Sequence, residues 1–406
     1  MTVTQKGGSN LTGRNILLGI TGSIAAFKAA GMASAMVQEG AEVNTVMTHS
    51  ASHFIAPLTF TALTANQVHT DMFGEGKGEA MAHINLAKAA DVVLIAPATA
   101  HTIARLAHGL ADDLLSTAVL AAACPVVVCP AMNSTMLANA ATQSNLERLK
   151  ELGYQVVDPD AGILACGDEG SGRLPDWDVI REAILGCFAT KDLAGEHLLI
   201  TAGPTREPLD PARYLSNRSS GKMGYALART ATRRGARVTL VSGPVQLTPP
   251  PGVNMVDVLT ASEMHEAVME YAAESSIIVK AAAVADFKPH KMQSQKIKKA
   301  GAGLHLELVA NRDILAELGQ KRTAKQLLVG FAAESNNHEE EGQRKLREKN
   351  VDLMVVNDIL GKQTGFDVDT NQVTLITSDT IEKLELMSKE ETADQIWNKI
   401  ISLKQQ

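Results

Sequence analysis

Short apolar runs alternate with amphipathic stretches along almost the whole chain. "NILLGITGSIAAFKAAGMASAMVQEGAEVNTVMT", from Asn15 to Thr48, reads as strand, glycine turn, Ala-rich helix, polar turn and second strand. "HLLITAGPT" from His197 opens the same way, and after an insertion "SSGKMGYALARTATRRGARVTLVSG" completes the repeat, with "RGARV" as the helix-to-strand turn. Further strands are predicted in "DVVLIAPAT", "CPVVVCPAM", "SSIIVKAAAV", "QLLVGFAAES" and "VDLMVVND". These strands are apolar throughout, as strands buried on both faces must be, and helices separate them. The fold class is therefore α/β, with two Rossmann-like domains and mainly parallel sheets. The expected organisation is a disordered tail over 1–13, a first domain over 14–190 and a second over 191–406. Ligands of open parallel sheets bind at the carboxyl ends of the strands, so the small and polar residues there are the places to search.

One stretch, Leu114 to Met132, is apolar enough to imitate a membrane span. Pro125 divides it, and much of it is Ala, Ser and Thr, so the expectation is a buried helix followed by a buried strand.

Composition narrows the function classes. At 406 residues the chain has room for two cores, and its aromatic content of 3% requires those cores to be built from Ala, Val, Leu and Ile. The formal charge of −7 disfavours nucleic acid as a partner. The four cysteines form no CxxC and no zinc spacing, which suggests a reducing, cytoplasmic setting.

The glycine turns do not match a nicotinamide dehydrogenase. "GITGSIA" is G-x-x-G-x-x-A, and the second strand ends in "VNTVMTHS" without an acidic partner for a ribose. Hydroxyls at Thr21, Ser23, Thr48 and Ser50 suit a mononucleotide phosphate, or simply turns and caps. "SSGKMG" fails the Walker A test, because Met223 follows the lysine where Ser or Thr would bind magnesium. In "ILACGDEGSGRL", Cys166 lies among glycines and charges, an unusual place for a thiol that is most often buried.

Taken together, the strand ends resemble two known families. "TGSIAAFK", "AHINLAKAADVVLIAPATA", "PAMNSTM" and "ACGDEGSGRL" are similar to the flavin-dependent cysteine decarboxylases. "TAGPTREPLDPARYLSNRSSGKMG", "AAAVADF", "KIKK" and "GFAAES" are similar to the phosphopantothenate–cysteine ligases. From about Arg14 onward the chain resembles the bacterial bifunctional phosphopantothenoylcysteine decarboxylase/phosphopantothenate–cysteine ligases of coenzyme A biosynthesis.

The resemblance implies a flavodoxin-like flavoprotein domain followed by a ligase domain. In the first, it makes His83, Asn133 and Cys166 catalytic and places FMN across Gly22, Ser23, Thr48, Ser50, Ala96, Pro97, Ala98, Thr99 and Met132. His83 assists thiol oxidation, Asn133 holds the substrate carboxylate, and Cys166 supplies the last proton from a flap jointed at Gly162, Gly167, Gly170 and Gly172. In the second, Asn217, Arg213 and Lys296 support formation of an acyl-cytidylate. CTP is expected at Lys280, Ala281, Ala282, Asp286, Lys296, Arg312, Asp313, Ile314, Leu315, Phe331, Lys345 and Lys349, with Mg2+ on its phosphates. Lys345 and Lys349 lie one helical step of four apart; they fit either triphosphate contacts or a salt-bridged exposed helix with Glu341. Two positions depart from the family pattern: Lys280 stands where a small residue is usual, and Arg312 where proline is common. CTP rather than ATP follows from resemblance alone. The implied substrates are 4'-phosphopantothenate, L-cysteine and CTP. The implied assembly is a large homo-oligomer with trimeric decarboxylase and dimeric ligase contacts, with no nucleic-acid or membrane partner. Two rival classes remain in view, a flavin-binding module without catalysis and the dehydrogenase already weakened.

Overall fold

The computed structural model describes residues 10–72, 81–298, 305–334, 338–358 and 368–405. The chain divides after Ala189 into two compact units. In the first, β1 (Asn15–Ile20), β2 (Glu42–Met47), β3 (Val68–His69), β4 (Val92–Ala98), β5 (Val126–Pro130) and β6 (Gln155–Val156) form one sheet in the order β3-β2-β1-β4-β5-β6. Every neighbouring pair is parallel. Without the two-residue edge strand β3, the winding is 2-1-3-4-5, the flavodoxin-like order, and it reverses between β1 and β4. Its helices are α1 (Ala26–Gln38), α2 (Pro57–Thr64), α3 (Ala82–Ala89), α4 (Ala100–His108), α5 (Leu114–Ala121), α6 (Ser134–Ala138), α7 (Ala140–Glu151) and α8 (Trp177–Phe188).

The all-apolar strands are buried on both faces, as their sequences require. Ile16, Leu18 and Ile20 of β1 pack into one core and Leu17 into the other. The span-like segment resolves into α5 and β5, and among the described residues no helix is long and apolar enough to cross a membrane. Asp113 caps α5 through a reciprocal box with Ser116, which is why the apolar run starts as a helix there.

One expectation is corrected. The tail does not extend through residue 13: Leu11 is fully buried in the core, and Gly13 N–H donates to the Gly40 carbonyl at 2.9 Å. The flap that carries Cys166 has regular structure. It folds as an antiparallel hairpin of β7 (Asp160–Ile163) and β8 (Glu169–Arg173) with Cys166 in its turn. Small, polar, glycine-rich residues conceal a strand from periodicity, because backbone pairing needs no apolar side chain.

The second unit contains β9 (His197–Ala202), β10 (Arg206–Asp210), β11 (Arg213–Ser216), α9 (Lys222–Arg233), β12 (Arg237–Ser242), β13 (Asn254–Asp257), α10 (Ala261–Ala272), β14 (Ile277–Lys280), β15 (Phe287–Pro289) and β16 (Leu308–Ala310). It continues with α11 (Ile314–Lys321), β17 (Leu327–Glu334), α12 (His338–Glu348), β18 (Leu353–Asp358), β19 (Thr370–Asn371), β20 (Val373–Ile376), β21 (Ile381–Lys383), β22 (Met387–Ser388) and α13 (Lys389–Lys404). The main sheet runs β13-β12-β9-β14-β17-β18-β20-β21. Its first six strands are parallel, in the 3-2-1-4-5-6 winding, and β20 and β21 extend it antiparallel. The stretch between β9 and α9, read as an insertion, is the β10–β11 hairpin.

Helix α13 closes the second core. Trp397 is fully buried, and its indole N–H donates to the Leu227 carbonyl and to Thr230 Oγ1 on α9. Charges flank this seam: Arg233 pairs with Glu390 at 3.0 Å, and Arg234 with Asp192 at 2.6 Å. Asp394 lies 3.9 Å from Arg234, and burial raises its pKa to about 6 although both arginines oppose the shift. The folded state thus favours the neutral acid. Its contribution to stability is fully present below the ordinary carboxyl range and is lost as pH rises through about 6. Asp394→Asn is therefore expected to raise the unfolding midpoint at pH 7.5, with the gain shrinking toward pH 4. Thermal melts across that range check this, and a gain independent of pH would contradict it.

Candidate active sites

In a parallel sheet every strand delivers its following loop to the same edge. Four neighbouring strands, β2, β1, β4 and β5, therefore bring the predicted flavin residues to one edge: Thr48 and Ser50, Gly22 and Ser23, Ala96 to Thr99, and Met132. Hydrogen bonds join these ends. Thr21 Oγ1 donates to the Pro97 carbonyl at 2.6 Å and accepts from Thr99 N–H at 3.0 Å. Ser23 Oγ reaches the Ala131 carbonyl at 3.5 Å. A Cβ on Gly22 would lie 2.4 Å from Ser50 Cβ, so the first two turns touch only because that residue is glycine.

The catalytic candidates lie at the same edge. A crossover helix runs back against its strands, so the first turn of α3, which carries His83, starts at the strands' carboxyl ends. His83 Nδ1 is buried and has no hydrogen-bond partner among the described residues. Such an orphaned atom fits a site completed by a bound group. The glycine turn and the strand-end hydroxyls suit an anionic flavin mononucleotide in the same way.

Asn133 caps α6, its Oδ1 accepting from Thr135 N–H at 2.8 Å. Its Nδ2 donates to Cys166 Sγ at 3.4 Å. Backbone contacts help to seat the hairpin that makes this contact. Met132 N–H donates to the Gly172 carbonyl at 3.0 Å, and a Cβ on Gly172 would lie 2.1 Å from the Met132 carbonyl oxygen. Gly172 has φ +143°, a conformation that disfavours any other residue. Of the four predicted joints, Gly162, Gly167 and Gly172 have positive φ and Gly170 does not. Gly170 instead packs beside Ser134.

In the second unit a cavity of 440 Å³ opens over the ends of β14, β17 and β18, beside the sheet's reversal. Asn217, Lys280, Ala281, Ala282, Asp286, Phe331 and Lys345 all line it. The first turn of α9 faces it as well. Gly221, at φ +77°, caps that helix without a side-chain bond, which leaves backbone N–H groups for an anion. Asn217 Nδ2 donates to the Val284 carbonyl at 2.9 Å. Burial lowers the Lys280 pKa, while Asp313 and Asp286 hold the proton on.

Not every predicted residue shares this cavity. Lys296 lines a different one, of 610 Å³, with His290, Gln295 and His305. Arg213 sits with it, bonding to Asp210 at 3.0 Å and to the Ile297 carbonyl. Arg312 is exposed, and Ile314 and Leu315 are buried in the core, so only their backbone could meet a ligand. Lys345 of α12 and Lys349, just past its end, separate. Glu341 pairs with Arg344 at 2.7 Å, Lys345 lies on the cavity wall, and Lys349 binds Asp313 at 2.7 Å. Lys222, Asn357, Asn371 and Lys389 also line the cavity and were missed. Lys222 stood in plain view within "SSGKMG"; the others come from two distant strands and the start of α13 and carry no local signal. Among the described residues no His/Cys/Asp/Glu cluster could hold a metal.

A profile described as flavoprotein matches residues 5–189, and one described as the DNA/pantothenate metabolism flavoprotein C-terminal domain matches 193–403. The chain is 45% identical over 401 residues to the coenzyme A biosynthesis bifunctional protein CoaBC of Bacillus subtilis, covering 98% of each. It is 44% identical over 397 residues to that of Escherichia coli, covering 97% of this chain and 98% of the relative. Among solved structures, the C-terminal domain of a CoaBC protein is 42% identical, covering 53% of this chain and 98% of that one, with a TM-score of 0.46. A PPC decarboxylase mutant complexed with pantothenoylaminoethenethiol is 33% identical, covering 42% and 96%, with a TM-score of 0.39.

Gly172→Ala should unseat the hairpin, since its methyl group would overlap a backbone oxygen that cannot turn away. Limited proteolysis within residues 160–173 should then accelerate at least about tenfold, the equivalent of 1.4 kcal/mol of local opening. An unchanged cleavage rate would show that the hairpin is held elsewhere.

Proposed function

The chain belongs to the family of bifunctional coenzyme A biosynthesis proteins, and on that basis we propose that it joins 4'-phosphopantothenate to L-cysteine in the second unit and decarboxylates the product to 4'-phosphopantetheine in the first. The observation that carries the reading is the meeting of Asn133 and Cys166 over the same strand ends that gather the flavin-site residues. A flavin-binding module without catalysis needs no such pair.

In the ligase reaction, a carboxylate must first become an electrophile. CTP would activate it as an acyl-cytidylate with pyrophosphate as the leaving group, and magnesium would arrive on the CTP phosphates. The cavity supports this with charge: Lys222, Lys280, Lys345 and Lys389 converge with the open N-terminus of α9. Asn217, on the cavity wall, would hold the acyl phosphate. Lys296 and Arg213, beside the second cavity, are assigned to the reacting phosphate. The cysteine amine then displaces CMP.

In the decarboxylation, FMN supplies an electron sink for the substrate thiol and later returns the electron pair. The chain's own residues do the rest. His83 takes up the thiol proton, and its buried Nδ1 is oriented by the loaded site. Asn133 holds the carboxylate until CO2 leaves. Cys166 then protonates the carbon of the enethiol, and the hairpin excludes water while it does so. The free cysteines accord with a reducing, cytoplasmic setting, and a homo-oligomer is expected.

The decisive experiment supplies phosphopantothenate, cysteine, CTP and magnesium to the purified yellow protein. Pyrophosphate should appear first and CO2 after it. A colourless protein that fails to take up FMN would remove the decarboxylase half. Lys296→Gln should lose pyrophosphate release by about 10²-fold or more while still decarboxylating added phosphopantothenoylcysteine; loss of both activities would contradict separate sites. Cys166→Ser should release CO2 but accumulate the enethiol, and normal 4'-phosphopantetheine formation by that variant would overturn its role.

A further inference from the structure

The thiol of Cys166 is held from two sides. It accepts from Asn133 Nδ2 at 3.4 Å, and it donates to Asp168 Oδ2 at 3.3 Å. The second contact is built into the hairpin turn. Leu164 N–H donates to the Asp168 carbonyl at 2.8 Å, and Gly167 N–H to the Leu164 carbonyl at 2.9 Å. Leu164 itself is buried, so the turn is anchored at its base. These bonds fold the chain back so that the carboxylate two residues after the cysteine comes round to the sulfur. Asp168 is exposed, in direct exchange with water.

We propose that Asp168 is the positioning and proton-resupply residue for Cys166. This rests on the reading of Cys166 as the acid of the last step, and it addresses what that reading leaves open: where the thiol proton points, and how it is replaced. Before the step, the S–H bond is directed at a carboxylate oxygen. In the step, the S–H bond breaks and its proton joins one enethiol carbon through the C=C electron pair, while a hydride that the bound flavin would supply closes the other carbon, so that two C–H bonds replace the π bond. Asn133 Nδ2–H faces the thiolate that remains. A proton from water then passes over the Asp168 carboxylate to sulfur, and both groups return to their starting state. No further oxidant or reductant is consumed.

A carboxylate beside the thiol also has a consequence without substrate. To attack an added electrophile, the sulfur must first give up the hydrogen bond it donates to Asp168 Oδ2. That gives a readout independent of turnover.

The test uses the full-length, flavin-loaded protein with Asp168→Asn, Asp168→Glu and Cys166→Ser. In Asp168→Asn, one reduced product per site should form quickly, because the first proton is already on sulfur. Steady formation of 4'-phosphopantetheine should then fall about 10²-fold, with enethiol released in its place. Iodoacetamide labelling of Cys166, followed by peptide mass spectrometry, should speed up severalfold in Asp168→Asn and stay near the parent rate in Asp168→Glu. Cys166→Ser should show no burst. If Cys166→Ser still makes the reduced product, the reading of Cys166 fails. If it does not, but Asp168→Asn keeps the parent's steady rate or labels no faster, the role of Asp168 alone is overturned. Equal impairment in Asp168→Asn and Asp168→Glu would likewise reduce Asp168 to a turn former. Should Asp168→Asn fail to take up flavin, Asp168→Ser is read by the same two measures.

Discussion

Parallel pairing is the constraint on which both units depend. Strands that all run one way must all end on one edge, and their loops are delivered there whatever their sequence. Where the winding reverses, the loops diverge and leave a crevice. The first unit reverses between β1 and β4 and the second between β9 and β14. The chemistry-bearing residues collect beside those points. Backbone must also pass close to backbone there, and the contacts of Gly22 with Ser50 and of Gly172 with Met132 leave no room for a side chain.

The two edges solve different electrostatic problems. The ligase cavity concentrates lysines in a chain whose formal charge is −7, so overall charge says little about the local site. Such clustering costs free energy until an anion arrives, and ion pairs around the cavity moderate it. Lys222 is held by Asp369 and Lys349 by Asp313. The first unit presents hydroxyls, an amide, an imidazole and a thiol instead. That set suits a step in which protons move and little charge is neutralised.

Much of the fold was legible because its signals are local. Runs such as "DVVLIAPAT" are too uniformly apolar for a half-exposed strand, and the helices between them carry caps such as Asp113 and Thr260. The β7–β8 hairpin was not legible, because its glycines and charges have no apolar period. Nor was the antiparallel extension by β20 and β21, since strand order is a property of the whole sheet. At the sites, motifs located Asn133, Cys166, Asn217 and Lys280, while Asn357, Asn371 and Lys389 had no motif around them.

The sequence by itself determined which segments are strands and helices, where each turn must bend, and which family the motifs resemble. Those depend on residues within a few positions of one another. Tertiary structure alone decided that Asn133 meets Cys166, that Lys345 faces the cavity while Lys349 does not, and that Lys296 lines a different cavity from Lys280. These outcomes are set by strand register, by the tilt of helices on sheets and by backbone contacts at the strand ends, and no local stretch of sequence encodes any of them.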